Sequence, residues 1–431
     1  MAEPDPGLPD PGAGPARSRR HERTVTGRHT LAPVAGVVAL LGLASLQACS
    51  PPRALEAARV LADVAAGTEP SALKARTPEP ERRSIPGAEA DAPVGDLYWP
   101  GEDAAALLVL VPGAVEQGKD DPRLVAFATT FARARFAVLV PEIPNLRTRH
   151  LGPEDAQPIG AAIRYLGGCL APAARAGSVG VAAISYASGP ALLAALAPAN
   201  RGLVGFVTAI GGYYDVEAVL TFFTTGYYRE GPDAPWRHRE PNAYGKWVFV
   251  GANAARLAGP ADRMALAEIA DRKLEDLDAD ITDLRARLGP EGRAVMALLA
   301  NPDPDRVPVL IDALPAPIRA DLRALDLQRR DLSQLPFDLI LLHGRDDPII
   351  PSTESQALAA AVPDERVSLY VVDRLTHIDL SPGGLLDGLG LWRAMYQLLS
   401  RRDAMPAPDP ARCRAAGETA PGAAATAAGT R

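Results

Sequence analysis

Three side chains in this 431-residue sequence have the types needed for nucleophilic catalysis: Ser185, Asp347 and His377. Ser185 ends the apolar run Val179-Gly-Val-Ala-Ala-Ile184, and the stretch Ser188-Gly-Pro-Ala-Leu-Leu-Ala-Ala-Leu196 follows at once. The pattern reads as a buried strand that turns sharply into a helix and leaves one hydroxyl exposed at the bend. Ala183 and Ala187 flank the serine two residues to either side, where a crowded turn needs small residues. The spacing is A-x-S-x-A rather than G-x-S-x-G. A serine hydroxyl is a weak nucleophile at neutral pH and needs a base to take its proton. His377, in Arg374-Leu-Thr-His-Ile-Asp-Leu380, can supply that base. A carboxylate is then required to hold the imidazole tautomer and stabilise the imidazolium. Asp346 and Asp347 compete for this place, both following the strand-like run Phe337-Asp-Leu-Ile-Leu-Leu-His343. Asp379, two residues past His377, reads as a helix cap.

The order Ser, Asp, His along the chain resembles the α/β-hydrolase superfamily, in its dienelactone-hydrolase-like or esterase-like branches. The likeness spans roughly residues 95–400, and its most specific parts are S-Y-A-S-G at 185–189 and H-G-R-D-D-P-I-I-P at 343–351. The resemblance implies a triad of Ser185, Asp347 and His377, because the family pattern H-G-x-x-D places its acid at Asp347. It also implies an oxyanion hole of two backbone N–H groups. One donor is Tyr186. The other comes from the loop after Leu107–Val111, where Pro112-Gly113 replaces the usual His-Gly; Ala114 is the expected donor and Val115 the alternative. Ser188 is the rival nucleophile, but it falls one turn into the helix. Without the other two residues, Ser185 reads equally as the cap of an ordinary helix.

Strand and helix patterns alternate from about Gly95, which predicts an α/β fold with a mainly parallel central sheet flanked by helices. Strands are expected at 107–111, 136–140, 179–184 and 205–210, and a helix at 157–169. The rhythm breaks between Val216 and Leu335. There Met264, Leu266, Ile269, Leu274, Leu277, Ile281, Leu284 and Leu288 recur at helical spacing among acids and arginines. The expected organisation is a core of 95–215 and 336–402 with a helical cap inserted at 216–335. A helix and linker at 50–94 precede it, and a disordered tail at 403–431 follows. Aromatic residues make up only 5% of the chain, yet seven crowd 222–247. They read either as packing of the cap on the core or as an apolar pocket, with Tyr213, Tyr214, Phe222 and Phe223 as substrate-binding candidates. Glu142, at a strand end, reads as an orienting group or a loop cap.

Residues 17–23 are basic, an apolar run covers 31–46, and Leu46-Gln47-Ala48-Cys49 resembles a bacterial lipobox. Residues 1–49 are therefore expected to be a lipoprotein signal with lipid on Cys49, which places the protein in a bacterial cell envelope facing the periplasm or exterior. An uncleaved membrane anchor is the alternative. A net charge of −7 argues against nucleic acid as a partner. Three cysteines, one in an Ala/Pro/Gly tail, make no disulfide framework, and no Cys/His cluster has zinc spacing. No metal or organic cofactor is expected. The expectation for function is a serine hydrolase of small-molecule carboxylic esters acting through an acyl-Ser185 intermediate; thioesters and amides share the chemistry. Two alternatives stand beside it: a non-catalytic binding protein of the same fold, suggested by the alanine pair and the missing His-Gly, and an acyltransferase. Oligomeric state is not legible in the sequence.

Overall fold

A computed structural model describes residues 50–87, 92–101, 103–174, 176–373 and 385–406. Cys49, His377, Asp379 and Cys413 lie outside the described residues. Among the described residues ten strands follow one another: β1 (Glu81–Pro86), β2 (Val94–Trp99), β3 (Ala106–Val111), β4 (Phe136–Pro141), β5 (Val179–Ile184), β6 (Val204–Ile210), β7 (Tyr227–Tyr228), β8 (Arg237–His238), β9 (Asp338–Gly344) and β10 (Val367–Val372). The longer helices are α1 (Pro51–Ala66), α2 (Pro122–Arg133), α3 (Ala156–Tyr165), α4 (Ser188–Leu196), α5 (Val216–Thr225), α6 (Tyr244–Ala254), α7 (Pro260–Glu275), α8 (Pro290–Leu299), α9 (Ala316–Leu325), α10 (Thr353–Ala360) and α11 (Leu385–Asp403).

Eight strands form one sheet in the order β1-β2-β4-β3-β5-β6-β9-β10. Only β2 opposes its neighbours; every other pairing is parallel. Parallel strands covered on both faces read as unbroken apolar runs, which is why β3, β4 and β5 stand out in the sequence. Successive side chains go to opposite faces. Leu107, Val109 and Val111 pack with Ile159 of α3 and Ala191 of α4, whereas Leu108 and Leu110 pack with α1, α2 and α11. This is the α/β architecture expected from the alternating pattern.

The N-terminal segment differs from a tether. Helix α1 buries Ala57 and Val60 in the face that also holds Leu398 and Leu399 of α11. Its Asp63 accepts from Thr130 Oγ1 at 2.6 Å and pairs with Lys74 at 2.8 Å. Burial alone would raise this carboxyl, but Lys74, Ser71 and Thr130 together hold it below its ordinary value. Glu81–Pro86, read as linker from its polar composition, is an edge strand. Its charged residues face water, where they discourage pairing with another chain.

The insertion between β6 and β9 is helical, as expected, with the short ribbon β7–β8 added. It has its own core, in which Leu266, Ile269, Leu284, Val295 and Leu298 are fully buried. Two residues of the periodic set, Met264 and Leu277, face solvent instead. Cap and core belong to one compact unit that begins at Pro51. Among the described residues no helix is long and apolar enough to cross a membrane, and no group of three His, Cys, Asp or Glu could hold a metal ion.

Candidate active site

Ser185 joins β5 directly to a 3-10 turn, Ser185–Ala187, that runs into α4. Ile184 is extended, and Ser185 then flips to φ +59°. The other two positive-φ residues that are not glycine, Arg135 and Arg149, follow helix C-termini, where a left-handed residue is ordinary. At a strand-to-helix junction the same conformation costs a side-chain-bearing residue roughly 1–2 kcal/mol. Ala183 and Ala187, the small flanking pair, are both fully buried. Close packing continues around the turn. A Cβ on Gly189 would meet Tyr213 Oη at 2.0 Å, and one on Gly212 would meet Ser188 Cβ at 2.7 Å. Ser188 itself is fully buried, with Oγ 3.4 Å from the Ala183 carbonyl. It faces the core while Ser185 faces a cavity.

That cavity has a volume of about 390 Å³ and lies between core and cap. The core wall contains Ser185, Tyr186, Ala114 and Ile349–Ile350. Ala114 and Tyr186, the expected oxyanion donors, thus reach the same space as Ser185. Val115, the alternative, commits its N–H to the Gly113 carbonyl at 3.0 Å, whereas no acceptor among the described residues holds that of Ala114. Tyr186 stands in the first turn of the helix, where N–H groups have no intrahelical partner. Its ring is fixed: the hydroxyl lies 3.0 Å from both Asp155 Oδ2 and the Gly152 carbonyl, and the ring stacks on Tyr213. Burial pushes both the Tyr186 hydroxyl and the Asp155 carboxyl above their ordinary values, so the pair shares a hydrogen bond rather than two charges.

The two candidate acids separate cleanly. Asp347 is fully buried; Oδ1 accepts from the N–H groups of Ile349 (2.8 Å) and Ile350 (3.0 Å). Asp346 is exposed and pairs with Arg239 of the cap at 3.3 Å. The same arginine donates to the Asp347 carbonyl at 3.2 Å, and Asn242 N–H donates to the Pro348 carbonyl at 2.7 Å. The segment after β8 therefore braces the acid loop. His343, in the strand β9 that leads to this loop, is a fully buried neighbour of Asp347. Its Nε2 lies 2.9 Å from the Ile350 carbonyl and 3.5 Å from Asp347 Oδ2, and its Nδ1 lies 2.7 Å from Ser355 Oγ. A carbonyl can only accept, so Nε2 carries a hydrogen, and Ser355 Oγ is the hydrogen-bond partner of Nδ1. The sequence-assigned base, His377, and Cys49, the expected lipid-attachment residue, lie outside the described residues.

One part of the cap wall is a helical stripe: Val216, Val219, Leu220 and Phe223 of α5 line the cavity at i, i+3, i+4 and i+7. Tyr213 and Phe223 of the expected aromatic set are in the lining; Tyr214 and Phe222 are not. Neighbouring residues on a helix point about 100° apart, so Phe222 turns away and packs edge-to-face on Tyr228 instead. Tyr214 serves the cap's neck: its N–H donates to Glu354 Oε2 at 3.0 Å and its carbonyl accepts from Gln328. Asp215 N–H reaches the same Glu354 oxygen at 2.8 Å, and Asp215 caps α5. Burial pushes the Glu354 carboxyl up to about 8, with Asp215 and Asp326 adding to the effect. Helix α6 adds Tyr244, Val248, Phe249 and Asn253 to the lining and α9 adds Asp321, Leu322 and Leu325, while Trp236 and Trp247 sit under Arg229 and Lys273 on the cap. Glu142 is held by Arg147 at 3.3 Å, as a loop group away from the cavity.

The strand order, the single opposed strand, the serine elbow after β5 and the carboxylate loop after β9 make this an α/β-hydrolase fold. No protein-family model matches the sequence, and no curated protein does. Among solved structures, the chain is similar to the rice cell wall degrading esterase LipA from Xanthomonas oryzae, at 14% identity over 73% of this chain and 86% of that one, with a TM-score of 0.43. It is also similar to 2-hydroxy-6-oxo-6-phenylhexa-2,4-dienoate hydrolase from Rhodococcus sp. strain RHA1, at 15% identity over 75% and 98% of the two chains and a TM-score of 0.36. Pyrococcus horikoshii acylaminoacyl peptidase is similar at 13% identity over 78% of this chain and 43% of its own, with a TM-score of 0.40.

Proposed function

We propose that this protein is a serine hydrolase that cleaves carboxylic esters with an apolar acyl group. The observation that carries the reading is Ser185, held left-handed at the elbow and presented in the wall of an apolar cavity beside Ala114 and Tyr186. An ordinary helix-capping serine has no use for that strained conformation.

In the proposed reaction, His377 takes the Ser185 proton as Oγ attacks the acyl carbon. Asp347 holds and stabilises the resulting imidazolium. The N–H groups of Ala114 and Tyr186 receive the oxyanion. The carbon–alkoxy bond then breaks, the alcohol leaves with the proton from His377, and water repeats the sequence to free the acid and regenerate Ser185. The cap helices supply a water-poor wall for the acyl group.

The decisive experiment is reaction with a fluorophosphonate probe, followed by intact mass and peptide mapping, with Ser185→Ala as control. Labelling confined to Ser185 is the expected result. A folded protein that takes no label would leave a binding role for the cavity and end the hydrolase reading.

A further inference from the structure

A second cavity, of about 440 Å³, opens on the other side of the Pro112–Val115 loop. Its walls come from the end of α1 (Val64, Ala65, Gly67), from Leu124 and Phe127 of α2, and from Ile184 and Ile210 at the ends of β5 and β6. The two cavities share Gly113 and Val115. Ile184 lines the second and Ser185, the next residue, lines the first. The shared loop also lies close to this junction: a Cβ on Gly113 would stand 3.8 Å from both Ile184 Cγ2 and the Ile184 carbonyl. Ser185 therefore stands where two chambers meet.

An ester carries two groups on its reacting carbon, and they leave that carbon in different directions. With the acyl group in the chamber beneath the cap, the alkoxy group needs a separate space. The second chamber suits an uncharged, apolar one. Asp121 and Arg123 also border it, but they satisfy each other: Arg123 Nη2 lies 2.7 Å from Asp121 Oδ2, and Asp121 Oδ1 caps α2 through Arg123 N–H. The wall supplied by α1 is anchored by Asp63 and by Trp392 Nε1, which donates to the Ala54 carbonyl at 2.9 Å.

Resting on the hydrolase reading, we infer that this chamber receives the leaving group, and that the substrate is an ester apolar on both sides of the scissile bond. Helix α1 is then a specificity element of the enzyme. The residues concerned are Val64, Ala65, Leu124 and Phe127.

The test compares naphthyl butyrate with methyl butyrate, which share an acyl group, and methyl butyrate with methyl octanoate, which share an alcohol. Ala65→Trp should lower kcat/KM for the naphthyl ester about tenfold more than for the methyl ester, chiefly through KM, and leave the acyl-chain ratio unmoved. Val64→Ala, which enlarges the chamber without a bulky insertion, should shift the naphthyl-to-methyl ratio the opposite way. Val248→Trp, on the cap side, should do the converse of Ala65→Trp, changing the acyl-chain ratio and not the alcohol ratio. Equal effects of the α1 variants on both alcohols, or a change in acyl preference from them, would overturn the assignment while Ser185 labelling still upheld the hydrolase. Absence of both Ser185 labelling and ester turnover in the unaltered protein would overturn the two together.

Discussion

Core and cap meet the first cavity in opposite ways. On the core side the candidate groups are held by the sheet beneath them: Ser185 in the wall by the elbow, Ala114 in the wall by the loop after β3, and Asp347, buried behind the wall residues Ile349 and Ile350, by their two backbone donors. On the cap side the wall is formed by helices that otherwise pack into a core of their own. That cap is joined to the core by a few polar contacts at its necks, among them Glu354 to Tyr214 and Asp215, and Tyr213 Oη to the Leu325 carbonyl at 3.2 Å. On the proposed reading, chemistry is built into positions where the backbone has no choice. Selectivity is built where a side chain can change without moving the backbone. This division makes the two regions separable by mutation.

The largest effect expected belongs to the core. Asp347→Asn keeps an acceptor for the Ile349 and Ile350 N–H groups but removes the charge, and should lower kcat about 10⁴-fold with little change in Tm. A near-normal rate would exclude Asp347 as the acid. Next, the adjacent phenylalanines of α5 should part company. Phe222→Ala, which empties a site with no opening to the cavity, should destabilise the fold by about 3–5 kcal/mol and leave acyl preference alone. Phe223→Ala should shift preference toward longer acyl chains, read from kcat/KM across an ester series. If both variants moved selectivity alike, the stripe would not be the wall.

Glu354 tests the neck through pH. Its folded carboxyl titrates near 8, above the ordinary 4.5, so the folded state holds the proton more tightly than the unfolded chain. The stability this contributes is complete below about 4.5 and is lost as pH rises through about 8. Glu354→Gln resembles the protonated form and should flatten the fall in Tm across that window. A parallel curve for wild type and variant would assign the pH dependence elsewhere. The smallest effect should come from Asp346→Asn, an exposed pair with Arg239 worth no more than about 1 kcal/mol. A collapse of activity in this variant would mean the two aspartates have exchanged roles.

The contrast also explains what could be read in advance. Apolar runs ending in small residues announce β3, β4 and β5, and the elbow follows from them because a parallel strand must turn at its carboxyl end. The preference for Asp347 over Asp346 comes from the resemblance to the H-G-x-x-D pattern, and the two differ in burial, Asp347 being enclosed and Asp346 exposed. What escaped the sequence reading was direction. Nothing in the words Phe222-Phe223 or Tyr213-Tyr214 says which ring turns inward until the stripe Val216, Val219, Leu220 is taken as the reference. The burial of His343 and Glu354 is not legible in the sequence because it depends on segments far away. Glu81–Pro86 looked like linker because an edge strand exposes its side chains to water and carries a polar composition.

Helix α1 carries one more consequence, for the order of assembly. Arg53 pairs with Asp403 at 2.8 Å across 350 residues of sequence, and Glu56 with Arg402 beside it. Contacts so distant along the chain carry a large loop-closure entropy that other contacts must offset. During synthesis the apolar face of α1 emerges at the start and waits for α11, which emerges near the end. One wall of the second cavity is thus made from some of the earliest residues of the folded unit, and its packing against α11 closes only after that last helix has emerged.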